Sequence, residues 1–183
     1  MLCDPVSYTG TQPVLATFPI GSGQLLTIHY LSIDDDMENI YQQFLPHSQG
    51  HWDPKGLLER FKTSYRYIAL SCTSQAFMAN LETRPIFEIE MHEATAHQLL
   101  PQNYKPLPKD FIIQLSAADW NRTRSSLYAE SIHCCLQYFS RYQEVQRILI
   151  DTTRLSQSLI HAIFLPAGFR PVPGHLHIYA NYP

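Results

Sequence analysis

The plainest pattern in the chain lies between Arg147 and Phe169, where a short β-branched run passes through a polar break into an amphipathic segment that ends at a glycine. Arg147-Ile148-Leu149-Ile150 has the continuous apolar character of a buried strand. Asp151, Thr152 and Thr153 offer side-chain oxygens to the free N–H groups of a first helical turn. Leu155, Leu159, Ile160, Ile163 and Phe164 then recur at helical spacing, so one face is expected to pack on a sheet. Gly168 suits the left-handed residue just past a helix end, and Pro166 predicts a kinked or irregular last turn.

The same reading extends along the chain. Residues 1–23, with Pro5, Pro13 and Pro19 and three glycines, predict an irregular arm, and residues 24–183 one folded domain. Leu25 to Leu31 is a first strand, and Ser32 with Asp34, Asp35 and Asp36 is the acidic start of a helix through Met37, Ile40, Tyr41 and Phe44. Pro46 to Pro54 is a loop. Leu57, Leu58, Phe61 and Tyr65 make a second helical face, after which Tyr67 to Cys72 is expected to begin a run of strands. Ala76–Leu81 is a strand, Glu82–Pro85 a turn, and Ile86–His92 alternates apolar and polar residues with period two. Residues 93–109 are a Pro-rich connection. Asp110–Ser116 is mostly apolar and therefore expected in the middle of the sheet. A polar loop then feeds a helix carrying Leu127, Ile132, Leu136 and Phe139, and His175–Tyr179 alternates like a last strand.

Composition narrows the function classes. With 183 residues, 45% of them hydrophobic, the chain can bury one good core, and a formal charge of −3 gives no electrostatic reason for a nucleic-acid or anionic-membrane partner. No apolar run approaches the ~20 residues of a membrane helix, and the first ten residues lack a basic-then-apolar pattern, so a cytoplasmic protein is expected. Cys3, Cys72, Cys134 and Cys135 show no Cys-x-x-Cys spacing and read as reduced, small hydrophobes. His47 and His51 sit among Gly and Pro rather than on a helix, and His175 and His177 lack a third ligand nearby in sequence, so no metal site is expected. The eleven tyrosines suit a homodimer interface or a substrate pocket equally.

Three places carry candidate chemistry. The alternation of Ile86–His92 puts Glu88, Glu90 and His92 on one face, either a water-facing side of an antiparallel strand or the wall of a pocket for a cationic or hydroxyl-bearing substrate. The loop Ala117–Ser126, between a strand and a helix N-terminus, is a competent anion site, with Arg122, Arg124, Ser125 and Ser126 as its polar side chains. Asp151 is either a helix cap or a carboxylate placed at a strand end for catalysis.

The order of elements, the string Arg84-Pro85-Ile86-Phe87-Glu88-Ile89-Glu90, the Asp110–Leu115 strand and the unit ending Ala167-Gly168-Phe169 resemble the GNAT acetyltransferase superfamily over roughly residues 24–180. Within it they are similar to the branch that acylates hydroxylated lysine, ornithine and related amines in siderophore synthesis. The resemblance implies an α/β (α+β) fold with a mixed, mostly antiparallel central sheet flanked by helices. It implies acetyl-CoA or another acyl-CoA as co-substrate, with the backbone of Ile112, Ile113 and Leu115 receiving the pantetheine arm and Arg122, Arg124, Ser125 and Ser126 the pyrophosphate. It also implies a small-molecule amine acceptor bound by Glu88 and Glu90.

The chain departs from that pattern at two points. The pyrophosphate loop of the superfamily is glycine-rich, which lets backbone N–H groups approach the phosphates, whereas residues 117–126 contain no glycine. The His that the siderophore branch carries in the central strand falls on Gln114, which cannot shuttle a proton, and its Asp partner falls on or near Asp151. Acyl transfer to nitrogen needs a neutral acceptor, an oxyanion stabiliser and a proton for the leaving thiolate. Gln114 as an orienting amide, Asp151 as the base, and His92 or Glu90 as alternative bases are the expected catalytic set. Two functions follow as expectations: an acyl-CoA-dependent N-acyltransferase acting on a hydroxylated amine, or a fold that has lost catalysis and binds a ligand or partner protein.

Overall fold

The computed structural model describes residues 12–21, 23–37, 54–96, 100–117, 125–141 and 145–182. Its frame is one eight-stranded sheet in the order β1-β2-β3-β4-β5-β6-β8-β7. The strands are β1 Val14–Pro19, β2 Leu25–Tyr30, β3 Ser74–Leu81, β4 Arg84–Glu93, β5 Asp110–Ala117, β6 Arg147–Asp151, β7 Arg170–Pro171 and β8 Ile178–Asn181. Every neighbouring pair is antiparallel except β5 and β6. The mixed, mostly antiparallel sheet flanked by helices is the fold class expected from the sequence.

Helix α1, Pro54–Ala69, covers one face. There Tyr65, Ile68 and Leu58, at helical spacing, pack on Met78, Ala76, Leu31 and Met37. Helix α2, Ser125–Phe139, and helix α3 cover the other face; α3 begins at Gln157–Leu159 and continues as a wide π-type turn over Ile160–Phe164. Phe77, Ile89, Ile113, Ile132, Phe139, Ile150, Phe164 and Phe169 form the main core between these helices and the sheet. Central strands are therefore buried on both faces, and β3 is buried at seven of its eight positions.

The Arg147–Phe169 unit forms as strand, helix and stop, with a later helix start than expected. Asp151 caps a turn rather than the helix: its Oδ1 accepts from the Thr153 amide and hydroxyl, while Thr152 bonds the His177 carbonyl. Ser156 is the helix cap, its Oγ accepting from the Leu159 amide. Pro166 has no N–H to give, and the chain around it pairs over five residues, Leu165 N–H to Ile160 O and Phe169 N–H to Phe164 O. Gly168 follows with φ +107°, where a Cβ would lie 2.7 Å from Asn181 Nδ2.

Other expectations change. The segment read as an irregular arm contains β1, bracketed by Pro13 and Pro19 at the edge of the sheet, where a missing N–H is tolerated. The strand expected from Tyr67 does not begin there; α1 runs to Ala69 because Ile68 and Ala69 continue its buried stripe. His175 and His177 lie in turns before β8, and His175 packs edge-on against Tyr104. Ser32 is bonded as at a helix start, its Oγ accepting from Asp35 N and its own N–H donating to Asp36 Oδ2. The helix from Ile40, the Pro46–Asp53 loop with His47 and His51, the side chains of Leu57 and Phe61, and Cys3 lie outside the described residues. Cys134 and Cys135 are buried thiols, as expected, and burial pushes both pKa values up.

Candidate active site

The site starts from a difference between the two ends of β5 and β6. At the first end the strands are pinned. Asp110, 1% exposed, pairs in register with Arg147 and binds its guanidinium through both carboxylate oxygens, while Tyr104 and the Leu107 amide complete the cluster. The parallel ladder then runs through Phe111↔Ile148 to Ile112↔Leu149 and stops. Past this point the two strands part around a cavity of about 590 Å³. Ile112 to Ser116 line it from β5, Ile150 and Asp151 from β6, and Thr153, Arg154, Leu155 and Phe164 from the segment beyond. That volume lies within the ~300–1,000 Å³ of small-molecule sites.

Parity along the strands decides which side chains share a face with this cleft. In the β4–β5 register Glu88 stands opposite Ser116, Glu90 opposite Gln114 and His92 opposite Ile112. The alternation therefore places the acidic row beside the cleft, on the face that α1 covers. This face is not water-facing: Glu88 is 3% and His92 6% exposed. The Tyr65 hydroxyl from α1 is hydrogen-bonded to both Glu88 and Glu90, and Ser116 reaches Glu88. His92 Nε2 lies 3.1 Å from Glu90 Oε2, and its Nδ1 lies 2.8 Å from Ser74 Oγ.

Burial, reinforced by the charge of Glu90, pushes Glu88 up to about 8, so near neutral pH Glu88 carries a proton. Burial and the same two carboxylates raise the Tyr65 phenol as well. A protonated Glu88 lets the single Tyr65 O–H donate to Glu90. One oxygen of Glu88, Oε1, is buried without a hydrogen-bond partner.

The predicted site residues thus divide into groups. Gln114, Ile112, Ile113, Leu115 and Asp151 come together in the cleft, and Glu88, Glu90 and His92 form the polar row next to it. Ser125 and Ser126 open α2 and are not among the cleft-lining residues; Arg122 and Arg124 lie outside the described residues. Sequence reasoning missed Tyr65, Ser116 and Arg154. Ser116 shares the period-two face of Gln114 and was legible in principle; Tyr65 read as one more apolar residue of a helix face. Arg154 is the one Lys or Arg lining the cleft among the described residues.

No family model and no curated protein sequence matches this chain. Solved structures do. An uncharacterized protein from Bacillus halodurans superposes with a TM-score of 0.70 at 16% identity, over 93% of this chain and 92% of that one. The aminoglycoside acetyltransferase AAC(6')-Ib in complex with coenzyme A superposes with a TM-score of 0.67 at 14% identity, over 86% of this chain and 94% of that one. The ribosomal-protein alpha-N-protein acetyltransferase RimL gives a TM-score of 0.59 at 9% identity, over 95% of this chain and 96% of that one. The fold is that of the GNAT acetyltransferases.

Proposed function

We propose that the chain is an acyl-CoA-dependent N-acyltransferase that transfers a short acyl group to a small amine. The observation that carries this reading is the parting of β5 from β6 into a cleft with a polar row beside it. The edge of β5 past Ile112 is released from the β6 ladder, so its amide and carbonyl groups are open to an amide-bearing arm such as pantetheine. The same backbone N–H groups serve to stabilise an oxyanion. Several structural neighbours hold acetyl-CoA or coenzyme A, and the residues present here fit that group.

In this reading Ile112, Ile113 and Leu115 receive the arm, Arg154 supplies positive charge for the donor's phosphates, and Ser125 and Ser126 with Arg122 and Arg124 form the pyrophosphate loop. Gln114 and Asp151, from the two walls of the cleft, orient the acceptor. A hydroxylated amine of the siderophore-precursor kind, largely neutral near pH 7, belongs to this class, as does an unmodified amine that enters as its ammonium ion.

The test is incubation of the protein with acetyl-CoA and a panel of aliphatic amines and their N-hydroxylated counterparts, followed by thiol release and product mass. Acylated product that requires the protein supports the reading. Absence of acetyl-CoA binding at millimolar concentration would turn it toward a non-catalytic ligand-binding role.

A further inference from the structure

A second cavity, of about 400 Å³, lies at the turn between β3 and β4 and shares no lining residue with the cleft. Its volume falls in the range of small-molecule sites. Three parts of the chain meet around it: Gln24 at the end of the β1–β2 turn, the β3–β4 turn with its flanking residues, and Leu127 in the first turn of α2. These parts are tied to one another. The Gly21 amide donates to Glu130 Oε1 on α2, the Leu25 amide to Glu82 Oε1, and the Glu82 amide to the Leu25 carbonyl, each at 2.8 Å. Glu82 sits at φ +55°, a left-handed conformation that a residue with a side chain keeps only where its surroundings over-determine it. The cavity walls therefore stand before any ligand arrives.

The lining is apolar on one part and of mixed charge on the other. Leu81, Ile86 and Leu127 pack against the main core and give the cavity an aliphatic wall. The Thr83 and Arg84 side chains hold no hydrogen bond or ion pair among the described residues, so Arg84 keeps its whole donor fork for a ligand. Glu82 spends Oε1 on the Leu25 amide and has Oε2 left to accept. These two opposite charges, two residues apart, do not pair with each other. A phosphate monoester would set its negative charge against Glu82, a polyamine would set its positive charge against Arg84, and a neutral sugar would answer neither. A zwitterion with an aliphatic body answers both charges and the apolar wall at once.

We propose that this cavity is a binding site for an aliphatic α-amino acid, its carboxylate on Arg84, its ammonium on Glu82 and its side chain against Leu81, Ile86 and Leu127. The site is separate from the cleft and does not depend on the acyltransferase reading. Arg84 presents parallel N–H donors that match a carboxylate in the plane of its guanidinium. The first turn of α2, a helix of 15 residues, brings the positive end of its dipole to the same cavity and favours the same group. The Thr83 hydroxyl remains as a further partner for either end of the ligand.

The experiment is calorimetric titration of the full chain with L-leucine, with isocaproate, which lacks the ammonium, and with isoamylamine, which lacks the carboxylate. L-leucine is expected to bind with a Kd on the order of 1 mM or tighter, and each truncated compound about tenfold or more weakly. Arg84 is exposed and Arg84→Ala removes no internal partner; it should weaken L-leucine about tenfold or more and leave isoamylamine unchanged. Glu82→Gln keeps an oxygen for the Leu25 amide and should weaken L-leucine while leaving isocaproate unchanged. No binding of L-leucine to wild type at millimolar concentration would overturn the proposal, as would equal binding to wild type and Arg84→Ala. Isocaproate or isoamylamine binding as tightly as L-leucine would overturn the zwitterion assignment.

Discussion

The two faces of β4 are both buried and are built to opposite ends. Phe87, Ile89 and Met91 face α2 and α3 and join the main core, each 1% exposed or less. Glu88, Glu90 and His92, which alternate with them, face α1; Glu88 and His92 are shielded nearly as well and Glu90 is 22% exposed, yet the three carry two carboxyls and an imidazole. Burial of apolar area stabilises the first face at roughly 25 cal/mol per Å². The second face works against stability, since a buried carboxyl without a cation loses more in desolvation than its hydrogen bonds return. The same face also shows how a buried carboxylate is satisfied for purely structural ends: Asp110, on β5, has Arg147, a backbone amide and a nearby Tyr104 around it. Glu88 and Glu90 on β4 have no Lys or Arg partner among the described residues, which fits the part in chemistry proposed for this face.

The contrast can be broken most sharply at Asp110. Asp110→Ala leaves Arg147 half-buried and unpaired and should destabilise the protein by about 3–5 kcal/mol in denaturant titration. A loss under 1 kcal/mol would mean the pin between β5 and β6 is ornamental.

On the apolar face, Ile89→Ala should cost about 2–5 kcal/mol through lost burial and the cavity left behind. Glu88→Gln, one residue away, should behave in the opposite sense. Glu88 is raised in the folded protein from an ordinary value of 4.5 to about 8, so the folded state binds the extra proton between those two values. Stability contributed by that proton is full below about pH 4.5, falls as pH rises through 8, and is flat above it. Glu88→Gln should flatten that slope and leave the variant more stable than wild type near pH 8; a wild-type stability that rises across this range would contradict the account.

A smaller structural effect is expected at the stop of α3. Gly168→Ala, with φ +107° and Asn181 in the way, should destabilise by about 1–3 kcal/mol. Arg154→Ala should leave stability within about 0.5 kcal/mol and weaken acetyl-CoA binding several-fold, read by titration at two salt concentrations.

Most of the frame was legible because it rests on periodicity. The Arg147–Ile150 and Asp110–Ser116 runs are mostly apolar and became the inner strands β6 and β5, and the left-handed Gly168 was readable from residue type alone. Legibility failed where tertiary context overrides local pattern. Nothing local says that Val14–Pro19 will find an edge of β2, or that Tyr67–Ala69 will finish a helix rather than start a strand. The alternation of β4 was legible and its environment stayed open between water and a pocket wall: period two says which residues share a face but cannot say that a helix carrying Tyr65 will cover the polar one. The cleft was legible only through the resemblance, since the parting of β5 from β6 is a property of two strands distant in sequence.

The central claim is that the cleft between β5 and β6 seats an acyl-CoA, and calorimetric titration of acetyl-CoA into wild type and Gln114→Trp tests it most directly. Gln114 is exposed on the cleft wall, so a bulky ring there fills the cleft without disturbing the core. The account predicts micromolar binding to wild type and loss of that binding in the variant. No binding to wild type, or equal binding to both, would contradict it.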